Sequence, residues 1–143
     1  MRTVRHLLQS KSPDVFSIAP DAAVLDAIRL MAEKGIGAVL VMEGPRLTGI
    51  MSERDYARRI VLEGRSSRDT PVRDIMTAKV VTVTPDDTAA RCMELVTHGR
   101  IRHLPVMEHD RVIGLVSIGD LVKSRLDEVS DEANAMRQYI TMA

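Results

Sequence analysis

The sequence predicts an α+β fold written twice: tandem β-α-β-β-α repeats whose two small sheets pack about a pseudo-two-fold axis. Three observations carry this prediction. The stretch Gly114-Leu115-Val116-Ser117-Ile118-Gly119-Asp120 repeats the Gly-x-x-Ser-x-x-Asp spacing of Gly49-Ile50-Met51-Ser52-Glu53-Arg54-Asp55. A constant separation of 65 positions holds without a gap for Pro20/Pro85, Asp21/Asp86, Ile36/Ile101, Val41/Val106, Met42/Met107, Glu43/Glu108, Gly49/Gly114, Ser52/Ser117 and Asp55/Asp120. Such self-similarity marks a duplication. Each copy has roughly 55–60 residues, too few to bury much surface alone, so one small sheet is best covered by the other.

In chain order, Val4 to Leu8 reads as a short amphipathic turn of helix, and Lys11-Ser12-Pro13-Asp14 breaks it. Val15 to Ile18 is a short strand, and Pro20-Asp21 opens a helix with Asp21 as its expected cap. Val24, Ala27, Ile28 and Met31 recur at helical spacing and form its buried face, and Gly35 ends it. Ala38 to Met42 is a nearly continuous apolar run, hence a covered strand. Glu43-Gly44-Pro45-Arg46 turns the chain into a strand over Leu47 to Met51, and Ser52 starts a helix reaching about Glu63. Residues 1–64 thus make the first unit with its N-terminal helix, and the polar run 65–71 is a linker. Residues 72–128 repeat the pattern, with Val72 to Met76 answering the N-terminal helix and Val80 to Val83 the first strand. Residues 129–143 form a separate C-terminal helix with Ala133, Met136 and Ile140 at helical spacing and Tyr139 beside them. It either packs on its own domain or closes a dimer interface.

Composition narrows the function. The 143 residues are 45% hydrophobic and 28% charged, with a net charge of zero, so no basic footprint for nonspecific nucleic-acid binding exists. Phe16, Tyr56 and Tyr139 are the only aromatic residues, too few for a single-strand stacking surface. Cys92 is the only cysteine, sits among apolar neighbours mid-helix and reads as an inert core residue. His6, His98, His103 and His109 stand at no metal-ligand spacing, so no metal site is expected. No apolar run is long enough to span a membrane, and no signal-peptide pattern opens the chain, which points to a cytoplasmic protein.

The two Gly-x-x-Ser-x-x-Asp turns admit two readings. A helix N-terminus suits an anion; a Ser hydroxyl there can hold a phosphate or ribose oxygen, and an Asp one turn on can accept both hydrogens of a ribose diol. The same Ser and Asp can also close a capping box. Two copies in register favour the ligand reading. A nucleophile is not supported: neither Ser52 nor Ser117 stands in a Gly-x-Ser-x-Gly elbow, and each has a carboxylate rather than a His at the motif spacing. A phosphate loop and a carboxylate cluster for Mg²⁺ are absent too, so the chain reads as a binding protein and not an enzyme.

With the repeated order, Met76-Thr77 before Val80-Val81-Thr82-Val83-Thr84-Pro85-Asp86, the run Arg102-His103-Leu104-Pro105-Val106 and both turns, the chain resembles a CBS-domain pair, or Bateman module, over nearly its whole length. The resemblance implies an adenosyl ligand in the cleft between the repeats (AMP, ADP, ATP, NAD(H) or S-adenosylmethionine), a homodimer, and allosteric control of an unidentified partner protein. It implies that Ser52, Asp55, Ser117 and Asp120 take the ribose or phosphate side. Val15 to Ile18, Val80, Thr82 and Val83, with Ile36, Gly37, Ala38, Ile101, Arg102, His103 and Pro105, would line base and phosphate. Arg54 sits beside the first turn and can reach a phosphate, whereas Arg58, Arg59, Arg65 and Arg68 read as a solvated face.

The 65-residue separation maps Gly37 onto Arg102 and Ala38 onto His103, so the two sites should differ. The basic one is expected to take a mononucleotide phosphate, and the open one either a longer ligand such as NAD(H) or none. The competing reading is a dimerising scaffold that docks a partner without a nucleotide.

Overall fold

In the computed structural model, which describes residues 2–142, a short helix α1 (Val4–Gln9) precedes the first repeat. That repeat runs β1 (Ser17–Ile18), α2 (Val24–Lys34), β2 (Ala38–Glu43), β3 (Arg46–Ser52) and α3 (Glu53–Tyr56). Its strands lie in the order β1-β2-β3, with β1 parallel and β3 antiparallel to β2. A 3₁₀ turn at Val72–Asp74 leads into the second repeat, formed by α4 (Ala89–Gly99), β4 (His103–Glu108), β5 (Arg111–Ser117) and α5 (Ile118–Met142). The duplication extends to irregularities: β2–β3 slips between Val41 and Met42, and β4–β5 between Val106 and Met107.

Four expectations change. Asp21 does not cap α2: the helix starts two residues later than expected, with Ala23 at its cap and no side-chain bond there. The second repeat does have a side-chain cap, since Thr88 Oγ1 accepts from the Arg91 N–H. The expected strand at Val80 to Val83 reduces to one parallel bridge, Val83 to Val106, leaving β4–β5 as a two-stranded sheet. The helix after β3 is α-helical only to Tyr56 and continues as a π-turn over Ala57–Val61. Finally, α5 runs unbroken for 25 residues, because no Gly or Pro interrupts it after Gly119. The separate C-terminal helix is its far end.

The two cores are each completed by the other repeat's lead-in segment. Val4 and Leu7 of α1 pack in the core of the second repeat, with Val83, Cys92, Val96, Leu104, Val106, Val116 and Leu121. Val72 and Ile75 pack in the core of the first, with Val24, Ala27, Met31, Val39, Val41, Met51 and Ile60. Backbone bonds match across the exchange: Val4 N–H donates to Asp87 O at 2.8 Å and Val72 N–H to Ala22 O at 2.8 Å. Arg5 N–H reaches Pro85 O at 3.0 Å, and Arg73 N–H reaches Pro20 O at 2.9 Å. Burial in this core also pushes the Cys92 thiol up to about 11, with nearby Asp87 adding to the effect, so it stays a protonated, inert group.

The motif glycines lie where these lead-ins cross the sheets. A Cβ on Gly49 would stand 2.5 Å from Met76 Sδ and 2.9 Å from the Thr77 carbonyl oxygen, and one on Gly114 would stand 2.6 Å from Leu8 Cδ2. At Gly49 the backbones also pair, Ile50 with Thr77 in both directions. Gly49→Ala should therefore lower stability by about 1–3 kcal/mol in urea unfolding, as overpacking does. Gly114→Ala should cost less, since only a flexible leucine end stands in the way.

Candidate functional site

The strand β3 delivers Ser52 to the N-cap of α3. Ser52 Oγ accepts from the Asp55 N–H at 3.2 Å, while Asp55 Oδ2 accepts from the Ser52 N–H at 2.8 Å and from its hydroxyl at 3.1 Å. The corner at Ser117 is built likewise, with Ser117 N–H to Asp120 Oδ2 at 2.8 Å and Asp120 N–H to Ser117 Oγ at 3.1 Å. Both acids therefore do cap their helices. Among the described residues no hydrogen bond reaches Oδ1 of either acid. The helix N-termini are not bare donors: Gly37 O already accepts from Glu53 N–H, and Arg102 O from Ile118 N–H. An anion at either corner must find its main charge in side chains.

Those side chains converge at the first corner. A cleft of about 260 Å³ is lined by Ser52, Glu53, Arg54, Asp55 and Arg58 with Gly37 and Ile50 from the first repeat. From across the halves come Thr77, Lys79, Val80, Val81, Arg100, Ile101, Arg102 and His103. Five Arg or Lys residues against two carboxylates make it cationic, and Ile50, Val80, Val81 and Ile101 give it an aliphatic wall. Gly37 and Arg102, pseudo-symmetric mates, line this one cleft together.

Backbone geometry aims the cations. The π-turn seats Ile60 in the core while placing Arg58 at the cleft; inserted turns of this kind often accompany binding sites. Arg100 ends α4 at φ 53°, the left-handed conformation that its counterpart Gly35 adopts at φ 65°. Holding a side chain there costs about 1–2 kcal/mol, and the residue that bears the cost lines the cleft. His103 is held below its usual pKa, first by burial and then by the Lys11 and Arg102 charges, against the pull of Asp120 and Glu53. Its imidazole is neutral at pH 7.

At the second corner the chain supplies its own cation. Lys11 Nζ lies 2.8 Å from Asp120 Oδ2 and donates to the Leu115 carbonyl oxygen at 2.6 Å. Burial alone would raise the Asp120 carboxyl, but the Lys11 ammonium and the Ser117 bonds outweigh it and hold the pKa below the ordinary value. Lys11 and Asp120 border a smaller pocket with Arg2, His6, Lys123 and Ser124.

The remaining sequence-chosen residues lie away from the first cleft. Ile18 and Ile36 pack against the first core, and Ala38 is buried where β2 begins. Val15 is half-buried ahead of β1. Thr82 lines a shallow groove with Arg46 and Met107. Val83 is buried, and its N–H donates to the carbonyl of Pro105, itself buried in β4.

Sequence reading missed Lys11, Lys79 and Arg58. The matched lead-in bonds equate Val4 with Val72, a separation of 68 rather than 65, and this larger separation pairs Lys11 with Lys79. Each corner thus faces a lysine from the other repeat's lead-in. Lys79 makes no ion pair among the described residues.

A sequence model of the CBS domain matches residues 4–62 and 72–127. Among curated relatives, a mitochondrial CBS domain-containing protein of Arabidopsis thaliana is 44% identical over 125 residues, 84% of this chain and 61% of its own length. The chain spans only 26% of a second Arabidopsis relative that is 34% identical. Among solved structures, a CBS-domain protein from Burkholderia ambifaria is 50% identical at a TM-score of 0.85, covering 87% of this chain and 94% of that one. A CBS domain protein from Pyrobaculum aerophilum, complexed with AMP, shares the fold at 24% identity and TM-score 0.74, over 82% of this chain and 88% of that one. The chain belongs to the CBS-domain family.

Two outcomes follow from the corner geometry. Arg100→Gly should raise unfolding stability by about 1 kcal/mol, because glycine adopts the left-handed turn freely. Asp120, with its lowered folded pKa, contributes stability that is present above the ordinary carboxylate value near ~3.9 and is lost as pH falls through the folded value. The difference in melting temperature between wild type and Lys11→Met should therefore shrink as pH drops below about 4.

Proposed function

We propose that this member of the CBS-domain family is a regulatory binding module for an adenine nucleotide, with AMP as the leading ligand, held in the cleft at Ser52 and Asp55. The observation that carries the reading is the meeting, in one cleft between the repeats, of an acid with a free carboxylate oxygen and the cations Arg54, Arg58, Lys79, Arg100 and Arg102. Asp55 Oδ1 takes the ribose diol, while the guanidinium groups and Lys79 take the phosphate. The aliphatic wall of Ile50, Val80, Val81 and Ile101 takes the adenine, since no Phe, Tyr or Trp lines the cleft. The AMP complex of the Pyrobaculum aerophilum relative supports the ligand class. The Ser52 hydroxyl is hydrogen-bonded to the Asp55 carboxylate rather than to a histidine, which supports a ligand that acts by binding.

Because the lining residues come from both repeats, a bound nucleotide ties the halves together and favours one relative arrangement, which a partner protein in the cytoplasm reads. The second corner takes a ligand, such as ADP, ATP or NAD(H), only when Lys11 releases Asp120. The two sites are thereby unequal.

Calorimetry tests this. AMP should bind the wild type with one site per chain. Asp55→Asn keeps an acceptor for the helix cap but loses the charge, and should weaken binding about 10- to 100-fold, the scale of a charged hydrogen bond. Arg100→Gly should weaken it while stabilising the fold. Lys11→Met should leave the first site intact and permit a second equivalent to bind. Absence of heat with AMP, ATP and NADH alike would instead support a ligand-free interaction scaffold.

A further inference from the structure

We infer that the far half of α5 is a self-association element: it pairs with the same helix of a second copy, in parallel and in register. The helix leaves its own domain after Leu121 and Ser124, its last buried side chains, and Arg2 makes its last ion pair to it at Asp131. From residue 129 to residue 141 every residue is exposed. A lone helical extension of this length is marginal in water and needs a packed face.

The face it offers is regular. Val122, Leu126, Val129, Ala133, Met136 and Ile140 follow at alternating steps of four and three, the spacing of a coiled-coil seam. Leu126 and Met136 are each 64% exposed and Ile140 70% exposed, so the seam is open in the single chain. The family match ends at residue 127, so most of this seam lies outside the CBS domains.

Charge identifies the occupant and its direction. Beside the seam stand Lys123, Arg125, Glu132 and Arg137. In a parallel, in-register pair, Glu132 of one copy meets Arg137 of the other, twice by symmetry. In the antiparallel pairing that matches Val129 with Ala133, Glu132 faces Glu132 and Lys123 faces Arg137, both repulsive. Neither Glu132 nor Arg137 has an ion pair within its own chain among the described residues. A helix already carrying both halves of its own charge match calls for a second copy of itself.

Charge reversal on the full chain tests this by sedimentation equilibrium. Glu132→Arg alone and Arg137→Glu alone should each weaken self-association about tenfold or more, and mixing the two variants should restore it as a heterodimer. Ala133→Cys should oxidise to a covalent dimer across the seam, Cys92 being buried. Circular dichroism of each variant checks that the fold is kept. Masses that do not respond to either reversal, a mixture that fails to recover, or an Ala133→Cys variant whose new thiol stays reduced would overturn the proposal.

Discussion

The structure depends on the reciprocal exchange of lead-in segments. Neither sheet closes its own core: Val4 and Leu7 fill the second repeat, Val72 and Ile75 the first. All four are buried, and each lead-in is pinned by backbone bonds of 3.0 Å or less to the opposite repeat. Burying four aliphatic side chains is worth roughly 1.5–3 kcal/mol each, an appreciable share of a small protein's net stability. The glycines of the repeated motif follow from the same constraint, since only a residue without a Cβ lets Met76 or Leu8 lie that close over the strand.

The exchange also builds the site. By carrying residues 70–83 across the first sheet, it sets Lys79, Val80 and Val81 beside Asp55, and by the same symmetry it sets Lys11 beside Asp120. Capping and binding are not rivals at these corners. Asp55 spends Oδ2 on the Ser52 N–H and hydroxyl, which locks the carboxylate in place and leaves its second oxygen oriented. The cap thus supplies the preorganisation that the proposed ribose contact would use.

Much of this was legible in the residues. The duplication showed through Pro20/Pro85 and Gly49/Gly114, and the corners through Ser52, Asp55, Ser117 and Asp120. Arg102 and His103, chosen through the family resemblance, both line the first cleft. What stayed hidden has physical causes. Three extra residues ahead of β1 break the 65-residue spacing and mask the kinship of Lys11 with Lys79. Exchange of segments between repeats leaves no local mark, so the N-terminal helix read as part of the first unit although its apolar face belongs to the second. Arg58 read as solvated because a π-turn shifts helical phase without any glycine or proline to announce it. The end of α5 read as a separate helix because Asp127, Glu128, Asp131 and Glu132 crowd the join, although the apolar spacing runs through them in one continuous helix.

An isolated repeat from this chain would hold a sheet lacking its strap and a strap lacking its sheet. Two such halves would satisfy each other by trading, giving a symmetric pair with two equal pockets. Joining them through residues 65–71 turned an encounter between molecules into a contact within one. It also lets the two pockets differ: one is lined by arginines, while in the other the equivalent lysine closes onto its own acid.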